Sequence, residues 1–184
     1  MTDPIETLMQ EHRAIERVLD ALCVFASAAA SGGDADPADL PRFVDFIREL
    51  ADRKHHAKEE TILFVAMTDN GFPREAGPIA VMLHEHEVGR ALVAQLVPIA
   101  PRAAWTDDDR AVIARVATEF SDMLRAHIQK EDNILYTMAR DHLPAEVMAD
   151  VAERVAAVER DYAERGETAR LDELGTALCA RYAG

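Results

Sequence analysis

The chain of 184 residues has little cysteine, few aromatic residues, few basic residues and no long apolar run. Its two cysteines, Cys23 and Cys179, are too few for a disulfide framework or a CxxC zinc site, and they indicate a reducing cytoplasm. Aromatic residues make up 5% of the chain, alanine is abundant and β-branched runs are scarce, which favours helices over sheets. Because no apolar run approaches about 18 residues, no segment is expected to span a membrane.

Acidic residues outnumber basic ones, with 34 Asp and Glu against 20 Lys and Arg and a formal net charge of −14. Such a chain repels phosphate backbones and anionic lipid, so neither nucleic acid nor a membrane is an expected partner. The N-terminal segment MTDPIETLMQEH lacks the basic and apolar regions of a signal peptide, which again predicts a cytoplasmic protein. The length and the 49% hydrophobic content predict one domain with a substantial core.

Capping and turn residues divide the chain into helices. The first predicted helix runs from an N-cap at Asp3 and Pro4 to a stop at Ser31–Asp34, and the fourth runs from an N-cap at Thr106 to about His142. The others are predicted from Pro37–Pro41 to about Asp69, from about Glu75 to Ile99, from Ala145 to Arg165 and, shorter, from Gly166 onward. Four long helices joined by short loops predict an all-α, up-down-up-down four-helix bundle over residues 1–142. Residues 143–184 are predicted to form a C-terminal extension of one or two helices.

The apolar stripe of each long helix is interrupted by a histidine, and two stripes add a glutamate four residues later. These residues are His12, His55, Glu59, His86, His127 and Glu131. A buried imidazole or carboxylate without a partner costs several kcal/mol, on the order of 2–7 for a polar group. Six such groups facing one another therefore need a common partner, and a metal is the simplest one.

The chain also contains an internal repeat. The segment HHAKEETILF from His55 matches HIQKEDNILY from His127, since both read HxxKExxIL followed by an aromatic residue. Glu11-His12 on the first helix likewise matches Glu85-His86 on the third. Residues at i and i+4 share a helix face, so each HxxxE offers a nitrogen and an oxygen together. Two such helix pairs, packed antiparallel, predict a pseudo-twofold site.

Four histidines and two carboxylates are too many for one tetrahedral zinc ion. They suit two metals that each keep an open or solvent-filled position, with carboxylates able to bridge the pair. Imidazole and carboxylate ligands without a thiolate favour iron over manganese or zinc. The expected cofactor is therefore a pair of iron ions.

A histidine on the first helix, HxxxE on the second, EH on the third and HxxxE on the fourth together resemble the hemerythrin-like HHE cation-binding domain, over about residues 5–142. The resemblance implies a four-helix bundle that holds an oxo- or hydroxo-bridged non-heme di-iron centre. Carried over residue by residue, it implies the ligands His12, His55, Glu59, His86, His127 and Glu131.

The chain departs from the oxygen-carrying hemerythrins at two points. They place a further histidine four residues before the histidine of the third helix, where this chain has Met82. Their fourth helix uses HxxxxD, so Asp132 is an alternative to Glu131, which is preferred because it matches Glu59 in the repeat.

Other residues near the pattern are given supporting roles. His84 is the alternative to His86 if the third helix is rotated. His56 is interpreted as a residue at the rim of the site or behind the ligands. Tyr136 and Phe64 are interpreted as core packing, with a tyrosine near iron as the alternative reading of Tyr136.

Open metal positions predict a di-iron protein that binds or reduces a small oxidant, namely dioxygen, peroxide or nitric oxide, as an oxidoreductase or peroxide scavenger. An apolar lining of Met82, Val93, Phe120 and Met123 is expected to admit such molecules. The alternative is a non-catalytic iron-binding protein: an iron store, a donor for iron–sulfur repair or a sensor. A third hypothesis is a metal-free interaction bundle. The sequence leaves the small ligand and the oligomeric state open.

Overall fold

Capping residues begin the helices of the computed structural model, which describes residues 3–183. The Asp3 side chain accepts a hydrogen bond from the backbone N–H of Ile5 at 2.9 Å, and Pro4 opens the first turn. Thr106 and Asp109 form a reciprocal capping box. Within residues 3–183 there are six helices: α1 (Pro4–Ser31), α2 (37–69), α3 (Gly77–Ala94), α4 (107–142), α5 (Ala145–Glu164) and α6 (Glu167–Arg181). The predicted all-α bundle is confirmed.

Two of the long helices are composite. After a 3₁₀ turn at Pro37–Asp39 and an α-helical stretch at Leu40–Phe46, α2 contains π-helical segments at Ile47–His56 and Glu59–Leu63 and ends as an α-helix at Phe64–Asp69. Helix α4 is α-helical over Asp107–Lys130, π-helical over Glu131–Leu135 and α-helical again over Tyr136–His142. The π-helical turns Glu59–Leu63 and Glu131–Leu135 occupy matching positions of the internal repeat.

Helix α3 is shorter than the sequence suggests. It ends at Ala94, whereas the prediction placed its end at Ile99. Residues 95–100 form turns instead. Pro98 explains the difference, because proline has no N–H to donate and its ring collides with the carbonyl group of Ala94, four residues earlier.

The core consists of two apolar clusters with a polar layer between them. One cluster includes Phe25, Phe43 and Leu124, and the other includes Ile5, Leu63 and Tyr136. Along each of the four long helices, the polar layer separates residues of one cluster from residues of the other. Helices α1 to α4 close into a ring in which each packs against two neighbours. Buried polar side chains therefore occupy the middle of the bundle.

Helices α5 and α6 pack on the bundle, mainly across α1 and α2. Val151 and Val155 of α5 join one core cluster, and Leu171 and Leu178 of α6 join the other. None of the described helices has the length and hydropathy that crossing a membrane requires. Met1, Thr2 and Gly184, which the predicted domain ranges include, lie outside the described residues.

Candidate metal centre

The six residues that interrupt the apolar stripes meet in one buried layer. His12, His55, Glu59, His86, His127 and Glu131 are each at most 1% exposed. The Nε2 atoms of His12 and His55 lie 2.9 Å apart, and those of His86 and His127 lie 3.1 Å apart. The structure thus brings together all six residues singled out from the sequence; their role as ligands stays a prediction.

The two carboxylates lie between the two histidine pairs. Glu131 Oε2 is 3.2 Å from His12 Nε2, and Glu131 Oε1 is 3.1 Å from His127 Nε2. Glu59 Oε2 is 3.6 Å from His55 Nε2 and 3.5 Å from His86 Nε2. Each carboxylate therefore contacts one histidine of each pair. This arrangement suits a carboxylate that bridges two metals.

Every histidine of the two pairs is held from outside by a carboxylate on its Nδ1 atom. The distances are 2.7 Å from His12 to Asp132, 2.9 Å from His55 to Glu11, 2.7 Å from His86 to Glu60 and 2.9 Å from His127 to Glu85. In the neutral tautomer that these contacts favour, Nδ1–H donates to the carboxylate and the Nε2 lone pair points into the layer. With all four rings in this neutral form, four nitrogen lone pairs are aimed at the centre.

The polar atoms at the centre fit a bound metal. Two Nε2 lone pairs about 3 Å apart repel each other unless a proton or a cation lies between them. Glu59 Oε2 and both side-chain oxygens of Glu131 have no hydrogen-bond partner within residues 3–183. Buried acceptors are normally paired, so this many unpaired ones indicate a cation.

Among the described residues, two overlapping groups of four have ligand atoms within 4.8 Å of one another. We name them the His12 cluster and the His86 cluster. The His12 cluster is His12, His55, Glu59 and Glu131, and the His86 cluster is His56, Glu59, His86 and His127. Each cluster holds at least two imidazoles and one carboxylate, which is the composition of many non-heme iron sites.

Without a metal, protons balance the charges in the layer. Burial lowers the pKa of His12, but its hydrogen bond to Asp132 and its contact with Glu131 outweigh burial and raise it to about 9. Burial, together with the charge of His12, lowers the pKa of His55 to about 4. Burial and the neighbouring Glu131 raise the pKa of Glu59. Burial acts to raise the pKa of Glu131 too, but His127 and His12 outweigh it and lower that pKa.

The π-helical turns position the two HxxxE motifs. Glu59 begins one such turn and Glu131 begins the other, so the backbone widens directly after each pair of donors. Single π-helical turns inside α-helices occur frequently at functional sites. The repeat in the sequence is therefore also a repeat in backbone geometry.

The structure distinguishes the alternatives left open by the sequence. Asp132 lies behind His12, where it accepts from Nδ1 and also pairs with Arg13, while Glu131 faces the layer. On α3, His84 is exposed and His86 is buried. The geometry thus favours Glu131 and His86 as candidate ligands.

His56 is buried among the histidines of the layer and also lines one edge of it. It is 6% exposed, and its ring stacks on that of His86 with centroids 3.8 Å apart. In an α-helix, which turns about 100° per residue, His56 and His55 would point in clearly different directions. In the π-helical segment successive residues turn less, and the side chains of Lys54, His55 and His56 are all buried. The sequence gives no strong indication that residues Ile47–His56 are π-helical, so the burial of His56 was not predicted.

Tyr136 also does more than fill the core. Its hydroxyl group donates to Glu59 Oε1 at 2.7 Å and lies 3.4 Å from His12 Nε2. The matching residue of the other half, Phe64, has no hydroxyl group. A signal was present in the sequence, because a buried tyrosine normally finds a hydrogen-bond partner.

The C-terminal extension covers one half of the layer. Lys58 is fully buried and contacts both Glu11, at 2.6 Å, and Glu159 of α5. Burial raises the pKa of Glu11, but its hydrogen bond with His55 and the charge of Lys58 outweigh burial and lower that pKa. In the other half Lys130 pairs with Glu85 in the same way, yet its side chain remains 37% exposed.

A cavity of about 430 Å³ lies on this less covered side, between α2, α3 and α4. Its lining includes His56, His86 and His127, so the cavity reaches the His86 cluster. Three of the four expected apolar lining residues, Val93, Phe120 and Met123, are also present. The fourth, Met82, packs in an apolar core cluster instead.

This donor layer agrees with a family model. The hemerythrin HHE cation-binding domain matches residues 3–139. The chain belongs to the hemerythrin HHE family. The family implies a metal site for iron, and the buried His and Glu layer is the candidate for that site in this hemerythrin-family chain.

Three curated relatives of this hemerythrin-family chain are iron-sulfur cluster repair proteins. The chain is 30% identical to the iron-sulfur cluster repair protein DnrN of Neisseria gonorrhoeae over 148 residues, which are 74% of this chain and 90% of DnrN. It is 33% identical to the iron-sulfur cluster repair protein YtfE of Edwardsiella ictaluri, covering 59% of this chain and 50% of YtfE. For YtfE of Musicola paradisiaca the identity is 38% over 47% of this chain and 40% of the relative. No solved structure matches the chain significantly.

Proposed function

We propose that this chain binds two iron ions in the buried layer and supplies iron for the repair of iron–sulfur clusters. The donor set carries the proposal, because four Nε2 atoms and three carboxylate oxygens converge in the layer and those oxygens have no other partner in the described part of the chain. Two histidines and a carboxylate for each metal suit non-heme iron. The relatives DnrN and YtfE, both named as iron–sulfur cluster repair proteins, support the repair function.

Iron donation requires a layer that stays folded after the iron leaves. His12, with its pKa raised to about 9, carries a proton at neutral pH and faces Glu131. Burial and the neighbouring Glu131 raise the pKa of Glu59, which favours its neutral form. The positive charge of His12 then offsets the negative charge of Glu131 in the metal-free layer.

The chain's own residues set the conditions for binding. Glu11, Glu60, Glu85 and Asp132 orient the four imidazoles, and Glu59 and Glu131 supply the oxygens. When bound, the iron pair supplies exchangeable iron and open coordination positions for a small ligand. Both Cys23 and Cys179 are free thiols, which suits the reducing cytoplasm that we propose as the compartment.

Metal analysis and an iron-transfer assay test this function. We expect the anaerobically reconstituted chain to hold about two iron ions and to restore activity to a [4Fe–4S] enzyme whose cluster has been damaged by nitric oxide. Glu131→Gln is expected to lose both properties, whereas Glu153→Gln, at an exposed position on α5, should keep them. No iron after reconstitution, or a single zinc ion, would contradict the proposal.

A second candidate function, binding or reduction of dioxygen, peroxide or nitric oxide, is favoured by the cavity. Its apolar residues Val93, Phe120 and Met123 offer a path for small neutral molecules to the His86 cluster. The iron-loaded chain should then change its visible charge-transfer bands on addition of peroxide, azide or nitric oxide. If none of the three changes the spectrum, this candidate is excluded while iron donation is not.

A further inference from the structure

His56 is a buried histidine that the six-residue site does not use. It belongs to the lining of the cavity and to the His86 cluster, where one of its ring nitrogens lies within 4.8 Å of the candidate ligand atoms of Glu59, His86 and His127. It therefore stands between the space that a small molecule can enter and the donors of one cluster.

The ring nitrogens of His56 are not held as those of the other four histidines are. Each of those four has a carboxylate oxygen 2.7 to 2.9 Å from Nδ1. For His56 the nearest ion-pair contact, Asp52 Oδ1, is 3.7 Å from Nδ1, and that oxygen already accepts from Arg90 at 2.8 Å. Nδ1 of His56 is buried without a hydrogen-bond partner among the described residues. A buried polar atom in this state destabilises the fold unless something else binds the ring.

The internal repeat shows that packing does not require an imidazole here. The residue that follows His127 in the other half is Ile128, which is buried in the apolar core. The position thus accepts an aliphatic side chain in one half, and it carries a nitrogen donor only in the half whose cluster reaches the cavity.

From this placement we infer that His56 is a third histidine ligand of the His86 cluster. The inference rests on the proposed function, since it requires that the layer binds metal. The two metal positions are then unequal: the His12 cluster offers two imidazoles, and the His86 cluster offers three. The additional nitrogen strengthens binding at the position that the extension does not cover, where water has the easier access.

Stacking is the competing explanation for His56. Its ring is nearly parallel to that of His86, with 17° between the planes, and this contact alone could account for an aromatic residue at the position. His56→Phe keeps a ring for stacking and removes both nitrogens. His56→Ile copies the residue that the other half already accommodates, so it provides a second variant that is expected to fold.

The test is titration of the metal-free chain with Co(II) under anaerobic conditions, followed by calorimetry and by visible d–d absorption. The wild type is expected to bind two ions. In both His56→Phe and His56→Ile, one ion should bind as in the wild type and the other at least about tenfold more weakly, with altered d–d bands. The matched control His84→Phe, at the exposed histidine of α3, should titrate like the wild type.

The outcomes separate this inference from the proposed function. Unchanged affinities and d–d bands in both His56 variants would overturn the third ligand while leaving the two-metal site in place. A wild-type chain that binds no Co(II) and no iron would overturn the proposed function and the inference with it. Weakening of both ions to the same extent would show that His56 supports the layer as a whole, and it would also overturn the inference.

Discussion

Tyr136 and Phe64 occupy matching positions in the two halves and differ by one hydroxyl group. That hydroxyl holds Glu59 Oε1 at 2.7 Å and leaves Glu59 Oε2 facing the histidines. At Phe64 no such hydroxyl exists. Single residues thus make a repeated sequence into two different donor clusters, with Tyr136 beside the His12 cluster and His56 in the His86 cluster.

Tyr136→Phe tests the hydrogen bond to Glu59. The metal-free chain should lose about 1–3 kcal/mol of unfolding free energy, because a buried oxygen loses its donor, and metal affinity should fall up to about tenfold as Glu59 loses its fixed orientation. Urea unfolding and metal titration measure the two effects. Tyr182→Phe, which removes a buried hydroxyl from Asp39 in the other core cluster, is the control: it should lower stability without affecting metal affinity. Equal metal affinity in both variants would contradict this role of Tyr136.

At the scale of helices, the sequence predicts where helices begin better than it predicts their interior geometry. Asp3 and Thr106 cap α1 and α4 as predicted, because capping depends on one side chain and a few backbone groups. The π-helical turns were not predicted, because over a single turn the spacing of apolar residues does not distinguish a π-helix from an α-helix. For this reason HxxxE was found from spacing, whereas the buried position of His56 was not.

Close contact between helices gives a prediction for Gly175 of α6. A Cβ atom added there would lie 2.8 Å from the Cε2 atom of Phe46, a buried ring of α2. Gly175→Ala should therefore cost about 1–3 kcal/mol of unfolding free energy, only partly offset by the better helix propensity of alanine. Urea unfolding measures the change.

Gly89 of α3 is the matched comparison. There the nearest atom to an added Cβ is Cε of Met123, at 3.2 Å, the end of a flexible side chain. Gly89→Ala should be close to neutral, because the helix propensity gain of about 1 kcal/mol offsets the contact. Equal free energies of unfolding for the Gly175→Ala and Gly89→Ala variants would contradict the prediction that the ring of Phe46 leaves no room for a side chain at Gly175.

For the whole molecule, the metal-free chain should have a stability that depends on pH. In the folded chain the pKa of His12 is raised to about 9. Its contribution to the free energy of unfolding is therefore complete below the ordinary pKa of 6.5 and is lost as the pH rises from 6.5 to about 9. Because the pKa of His55 is lowered to about 4, its contribution is complete above 6.5 and is lost as the pH falls toward 4. The two contributions together predict a maximum near pH 6.5.

Thermal unfolding across this pH range checks the prediction. The metal-free chain should lose up to ~3 kcal/mol of stability between pH 6.5 and 9 from His12. The metal-loaded chain should not show this loss, since Nε2 of His12 then binds a metal instead of a proton. A constant melting temperature of the metal-free chain from pH 6.5 to 9 would contradict it.

The contact of Glu159 with Lys58 gives the molecule one closed side and one side with a cavity. A chelator should therefore remove iron in two kinetic phases, the slower of which requires α5 to move away from the bundle. Glu159→Gln should accelerate only the slow phase, by about two- to tenfold, while Glu153→Gln should leave both phases unchanged. Stopped-flow absorbance of an iron-specific chelator measures the rates, and a single phase in the wild type would contradict the prediction. Under the proposed function, these unequal exits would let the protein hand over one iron ion while the other stays bound.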